Sequence, residues 1–209
     1  VFTWSISDPD HVKCRYCGTV YPNEQYPEEG TITAPWSGQT FTYYITPEER
    51  AHPEDTTGKY AWRWASWPIH VSWAGLVRFF KAAWLSHQVV PLAKAYVLTG
   101  EVKYAERCAV CLDALAIGYK GWLWHTYFGS VIDLPHDEVA RSMGETGIGR
   151  FPLEAVINPI PSLRDRNGDG FGDTHVGFWG TGRFAAGAGG EGTFLLNCTV
   201  AYDLIRDAT

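Results

Sequence analysis

The chain has 209 residues, 45% hydrophobic and 19% charged, which predicts one soluble globular domain with at most an appendage and excludes disorder and two full catalytic domains. Seventeen basic against 23 acidic residues give a formal net charge of −6, without the basic stripe a nucleic-acid footprint needs, and there is no apolar run long enough to span a membrane. Ten Trp, 11 Tyr and 10 Phe exceed what filling a core requires, and spare aromatic rings point to flat ligands such as sugars.

Residues 1–60 are rich in Pro, Gly, Thr and Tyr and show no helical period, so they are predicted as an irregular segment with one or two short strands, as at Gln39–Ile45. The opening Val1-Phe2-Thr3-Trp4 has no leader character, which sets the first residue at a processed or internal position. Apolar residues at helical spacing through Trp73, Leu76, Val77, Phe80, Ala83 and Trp84 predict a helix from about Ile69 to Gln88. Pro91 suits the first turn of a second, short helix that Gly100 closes. The stretch Glu101–Tyr119 carries Tyr104, Ala105, Cys108, Cys111, Leu112 and Leu115 on one face and is predicted as an amphipathic helix. Residues 121–164 are interrupted by Gly and Pro and read as long loops with a short helix around Asp137–Met143. Residues 165–192 are Gly-rich, and Glu191–Asp207 resumes a helical period. Helices joined by long aromatic loops predict an array of helical hairpins with functional groups in the loops.

Three stretches carry a family resemblance: Leu92-Ala-Lys-Ala-Tyr-Val-Leu-Thr-Gly-Glu-Val-Lys-Tyr-Ala-Glu-Arg107, Trp179-Gly-Thr-Gly-Arg183 and Ala201-Tyr-Asp-Leu-Ile-Arg-Asp207. With the opening Cys14-Arg-Tyr-Cys-Gly-Thr-Val-Tyr-Pro-Asn-Glu24, they resemble heparinase II/III-like polysaccharide lyases over roughly half the chain. The resemblance implies a mainly α fold, an incomplete (α/α) toroid of helical hairpins over 61–209 behind an irregular segment over 1–60 with short strands. It also implies β-elimination at a uronic acid, in which one group neutralises the carboxylate, a base removes the C5 proton and an acid protonates the leaving oxygen. In that family the Asn/His neutralising pair and catalytic Tyr follow the helix resembled by Ala201–Asp207. The main catalytic set is therefore expected beyond Thr209, with a downstream segment or second polypeptide completing the toroid.

Candidate chemistry also lies in the residues themselves. Asp165, Asn167, Asp169 and Asp173 fall at positions 1, 3, 5 and 9 of a loop with Gly170 at position 6 and the Phe171 carbonyl at 7, the spacing of an EF-hand-type calcium site. Position 12 is Val176, without the bidentate carboxylate, and an Asx-turn loop that holds no metal is the alternative. Cys14 and Cys17, followed by Gly18, form half of a tetrahedral zinc site with His11, His52 or another cysteine as partner, although a disulfide and free thiols remain open. Cys108, Cys111 and Cys198 read as buried small hydrophobes.

Trp62, Trp64, Trp67 and Trp73, with Arg63 and His70 between them, form a candidate sugar platform, Arg63 offering a planar fork to a carboxylate or sulfate. Some of these rings are expected to fill the core instead. Trp124 joins this set, and His125 with Tyr127 pairs an imidazole and a phenol as candidate base and acid. His175, Trp179 and Arg183 are candidate substrate contacts. The sequence thus predicts a secreted or periplasmic carbohydrate-active protein, part of a lyase that cleaves an acidic, uronate-containing polysaccharide. A toroidal glycoside hydrolase with paired carboxylates, or a non-catalytic glycan-binding or structural module, is the alternative.

Overall fold

The computed structural model describes residues 2–126, 129–142, 149–172, 181–184 and 188–208. The chain opens with strands β1 (Phe2–Ser5), β2 (Asp8–Cys14) and β3 (Val20–Tyr21), an antiparallel sheet in that order. Strand alternation decides what it buries. Val12 pairs with Tyr21 and both enter an aromatic core with Tyr44, Trp73 and Val77, whereas the next pair, Lys13 and Val20, is exposed. Tyr21 stacks on Trp73 with ring centroids 4.2 Å apart.

A hairpin of β4 (Gly30–Thr33) and β5 (Thr40–Tyr43) follows, then the short helix α1 (Pro47–Ala51), which starts in a capping box between Thr46 and Glu49. A second hairpin, β6 (Trp62–Trp64) and β7 (Trp67–Ile69), leads into α2 (Trp73–Thr99). The Ser72 side chain accepts the Gly75 N–H at the start of α2, and Gly100 ends it at φ 70°.

Sequence reasoning expected a break at Pro91, but α2 runs for 27 residues straight through it. Proline costs a helix interior one hydrogen bond and crowds the carbonyl four residues back, about 3 kcal/mol. Ala82, Val89 and Ala93 stay in phase across that point and are buried against α3 (Val102–Gly121) and α5 (Ala188–Ile205), which offsets the loss. Their partners there are Ala105, Cys108 and Leu115 of α3 and Phe194, Ala201 and Ile205 of α5. Burial pushes the Cys108 thiol up to about 11, so it behaves as a small apolar residue.

Between α3 and α5 lies a four-stranded antiparallel sheet in the order β10-β9-β8-β11, made of β8 (Trp124–Thr126), β9 (Val131–Ile132), β10 (Val156–Ile157) and β11 (Thr181–Gly182). Helix α4 (His136–Ser142) separates β9 from β10, and Ile132, Val139, Phe151 and Val156 form a small core beneath. Asp133, 1% exposed, accepts the N–H groups of Trp36 at 2.5 Å and Ser37 at 3.1 Å, tying the β4–β5 turn to this sheet.

This architecture overturns the mainly α expectation. The described residues are 44% helical and 21% strand, with five helices and several small antiparallel sheets, and do not form an α/α toroid. The physical reason is visible at α2. One side packs on α3 and α5 as a helical array would, but the other packs on β2, β5 and the aromatic core rather than on a further helical hairpin. Among the described residues no helix is long and apolar enough to cross a membrane.

Candidate functional site

The β6–β7 hairpin is closed by two residues, Ala65 and Ser66, with Ala65 at φ 55°. A non-glycine residue there is strained, and the turn is held by the Arg63 guanidinium, which donates through Nη1 to the Ser66 carbonyl at 2.9 Å. Across the turn Trp64 pairs directly with Trp67, and Trp62 with Ile69. Cross-strand partners lie on one face, so the aromatic stripe leaves the core at Trp62, which packs on Tyr44 at 5.0 Å and Trp73 at 5.9 Å, and emerges at the tip. Trp64 is 58% exposed and Trp67 41%.

The Arg166 guanidinium lies 3.8 Å from the centroid of the Trp67 ring. It belongs to the Asp165–Phe171 loop, so the structure brings two sequence motifs, the tryptophan cluster and the calcium-type loop, to one surface. Pro68 and Ile160 close over Gly58, whose φ of 71° suits glycine, and Ser162 N–H donates to the Thr56 carbonyl at 3.2 Å. The hairpin therefore rests on the segment that leads into the loop.

Within that loop both carboxylate oxygens of Asp165 accept backbone N–H groups, Oδ1 from Asp169 at 3.1 Å and Oδ2 from Gly170 at 3.0 Å. Asp169 Oδ1 accepts the Phe171 N–H at 3.1 Å, and its other oxygen is 3.8 Å from Arg150, which also sits over the Phe171 ring. Gly168 and Gly170 have φ of 66° and 79°. These are Asx-type turns in which the carboxylates accept the loop's own backbone N–H groups, with Asn167 exposed beside them. Asp173 lies outside the described residues, and among those described no group of three or more His, Cys, Asp and Glu side chains is gathered as for a metal.

The remaining candidates are placed elsewhere. His70, just past β7, is largely shielded with Nε2 2.6 Å from Glu49 Oε1, and Glu49 Oε2 accepts the Thr46 N–H, so the pair locks the hairpin to α1. Burial pulls its imidazole below the usual range against the opposing effect of Glu49. Trp124 is half-buried against the small core of β9 and donates Nε1–H to His136 Nδ1 at 3.3 Å. His125 pairs with Val131 in β8 and places Nε2 2.8 Å from the Arg183 carbonyl; burial lowers its pKa as well. Tyr127, His175 and Trp179 lie outside the described residues.

Arg183 is 9% exposed. Its guanidinium donates Nε–H to the Trp122 carbonyl at 3.1 Å and Nη2–H to the Tyr119 carbonyl, and lies 4.2 Å from the Tyr119 ring centroid. The Tyr119 hydroxyl donates to Glu191, whose other oxygen accepts the Phe184 N–H at 2.8 Å. Burial first, then Glu191, pushes Tyr119 up to about 12. This network joins the end of α3 to the start of α5, and the Arg183 donors named here are turned inward.

A cavity of about 580 Å³ lies against the same region, lined by Trp4, Phe79, Trp84, His87, Phe184 and Phe194. Among the described residues lining it there is no Lys or Arg, whereas the hairpin presents aromatic rings with the Arg166 guanidinium over one of them. Trp64 and Trp67 were named from the sequence as part of a candidate sugar platform, but the hairpin that presents them and Arg166 beside them were not. The signal for the rings was Trp64-Ala-Ser-Trp67, a two-residue turn between aromatic strand ends; Arg166 had none, because only folding brings it there.

At the amino-terminal end Cys14 and Cys17 flank the β2–β3 turn as free thiols. Cys14 N–H donates to the Thr19 carbonyl at 2.9 Å, Gly18 N–H to the Cys14 carbonyl at 3.1 Å, and Tyr16 N–H to Cys14 Sγ at 3.4 Å. The Cys17 thiol, exposed and 3.1 Å from Thr19 Oγ1, is drawn down to about 7, chiefly by that hydroxyl. Neither His11, held by Asp8 at 2.7 Å, nor His52, stacked on Tyr60, joins them in a group of three or more. No protein family matches the chain, and no curated protein and no solved structure matches it.

Proposed function

We propose that the protein is carbohydrate-active and holds an acidic, uronate-containing polysaccharide on the β6–β7 hairpin. The observation that carries this reading is the exposed Trp64–Trp67 pair with the Arg166 guanidinium over the Trp67 ring. Flat rings take the apolar faces of pyranose units, and a guanidinium takes a carboxylate or sulfate through paired N–H donors. The Asp165 loop positions Arg166 over Trp67, and calcium is the ion its oxygen side chains suit. At the millimolar levels outside cells a site lacking the position-12 carboxylate still fills, which accords with a secreted or periplasmic location. Zinc is the ion proposed for Cys14 and Cys17, one sulfur accepting the Tyr16 N–H and the other paired with the Thr19 hydroxyl.

For the reaction we propose the lyase chemistry that the sequence resemblance implies, β-elimination next to a uronate. A non-catalytic glycan-binding module is the second reading, and a specific observation favours it: His125 is half-buried and its Nε2 is engaged with the Arg183 backbone carbonyl at 2.8 Å. Incubation with glycosaminoglycans, alginate and ulvan, following the ultraviolet absorbance of an unsaturated uronate, separates the two. Absorbance growth supports the lyase, binding without product supports the module, and new reducing ends without absorbance refute β-elimination in favour of hydrolysis. Absence of binding to all of them refutes the saccharide reading.

A further inference from the structure

The Cys14–Cys17 turn offers a metal two ligands, and zinc in a structural site takes four. Both sulfurs sit at the outer end of the β2–β3 hairpin. Cys17 is exposed, Tyr16 between them is 85% exposed, and Arg15, Lys13 and Gly18 around them are exposed as well. Among the described residues no third Cys, His, Asp or Glu side chain joins the pair. The turn carries donors and acceptors for both sulfurs: the Tyr16 N–H is directed at Cys14 Sγ, the Cys17 thiol donates to the Thr19 hydroxyl oxygen, and Gly18, at φ 74°, reverses the chain just after Cys17.

We propose that this hairpin end is half of an intermolecular site, in which one zinc ion is held by Cys14 and Cys17 of two copies of the chain and so joins them. The inference rests on the zinc reading of the turn given above. Four thiols lose four protons as one Zn²⁺ enters, leaving a tetrathiolate centre of net charge −2. Lys13 and Arg15 of each copy flank that centre, so the two cationic hairpin ends, which would repel one another without the metal, are drawn together by it. An exposed turn also lets two copies approach without a broad interface.

The 209-residue protein, kept under a thiol reductant, is titrated with Zn²⁺, and with Co²⁺ as a spectroscopic substitute, while mass is followed by analytical ultracentrifugation. The expected result is saturation at half an equivalent of metal per chain, doubling of the 23.3 kDa mass, and a cobalt spectrum of four thiolates. Chelator should return the monomer. C17S and C14S should each stay monomeric at the same zinc concentration, and C17S changes only an exposed side chain, so its fold is a safe control. Uptake of one equivalent by a chain that remains monomeric overturns the bridging proposal and leaves the zinc reading intact. No uptake overturns both, and zinc-independent dimerisation that C17S does not change overturns the bridge as its cause.

Discussion

Replacing Arg183 separates a residue that builds the molecule from one that meets a polysaccharide. In R183M the stem is kept and the guanidinium is lost. The Tyr119 and Trp122 carbonyls then each lose a charged donor in a half-buried setting, at about 1–3 kcal/mol apiece. The contact with the Tyr119 ring goes as well, worth about 1–2 kcal/mol where water is excluded. Because the three share one guanidinium they do not add fully, and about 4 kcal/mol is the expected loss. For a chain of this size each kcal/mol lowers Tm by about 2–4 °C, so the midpoint should fall by about 8–16 °C. Urea unfolding read by circular dichroism, with polysaccharide affinity measured on the folded fraction, tests this. The expected result is a large loss of stability with affinity preserved. Wild-type stability together with lost affinity would refute the inward role drawn for Arg183.

W64A/W67A removes the exposed rings. At about 250 Å² for a tryptophan, the exposed parts amount to about 250 Å² over the pair, and a sugar covering half of that gains about 3 kcal/mol, so Kd for an acidic oligosaccharide should rise about a hundredfold by calorimetry. A change below threefold counts against the hairpin. D165A/D169A should lower Tm and remove the stabilisation given by added calcium, and equal calcium responses in variant and wild type would exclude the metal from this loop. D133A leaves the Trp36 and Ser37 N–H groups without their acceptor and should cost about 3 kcal/mol in urea unfolding; a loss below 1 kcal/mol would show the β4–β5 turn to be held otherwise. His125, with its folded pKa held below the ordinary 6.5 by burial, binds a proton more readily when unfolded. Its contribution is therefore present above about pH 6.5 and lost as pH falls toward the folded value, so wild type should lose more stability than H125Q between pH 7 and 5. Parallel curves would contradict this.

How far the sequence could be read depended on the range of the interaction. Helices α3 and α5 were legible to within a few residues because their apolar spacing is local and repeated, and Gly100 marked the end of α2 correctly. The break expected at Pro91 failed because tertiary burial of Val89 and Ala93 outweighs a local penalty. The strands were mostly hidden: β3, β9, β10 and β11 are two residues each, too short for alternation to register. That, more than any helix, is why a mainly α architecture was expected. At the site, the tryptophan cluster was visible as composition, but which rings are core (Trp62, Trp73) and which are surface (Trp64, Trp67) follows from the hairpin turn. Asp133 and Arg166 act on residues 97 and 99 positions away, and no local pattern could announce them.

The central claim, that an acidic saccharide lies on the Trp64–Trp67 hairpin, is tested most directly by titrating the protein with a uronate oligosaccharide and with its carboxyl-reduced counterpart while tryptophan fluorescence is followed. Saturable quenching by the acidic form is expected, abolished in W64A/W67A, with an affinity at least tenfold weaker for the reduced form. Equal affinity for both forms, or quenching that persists in W64A/W67A, would contradict it.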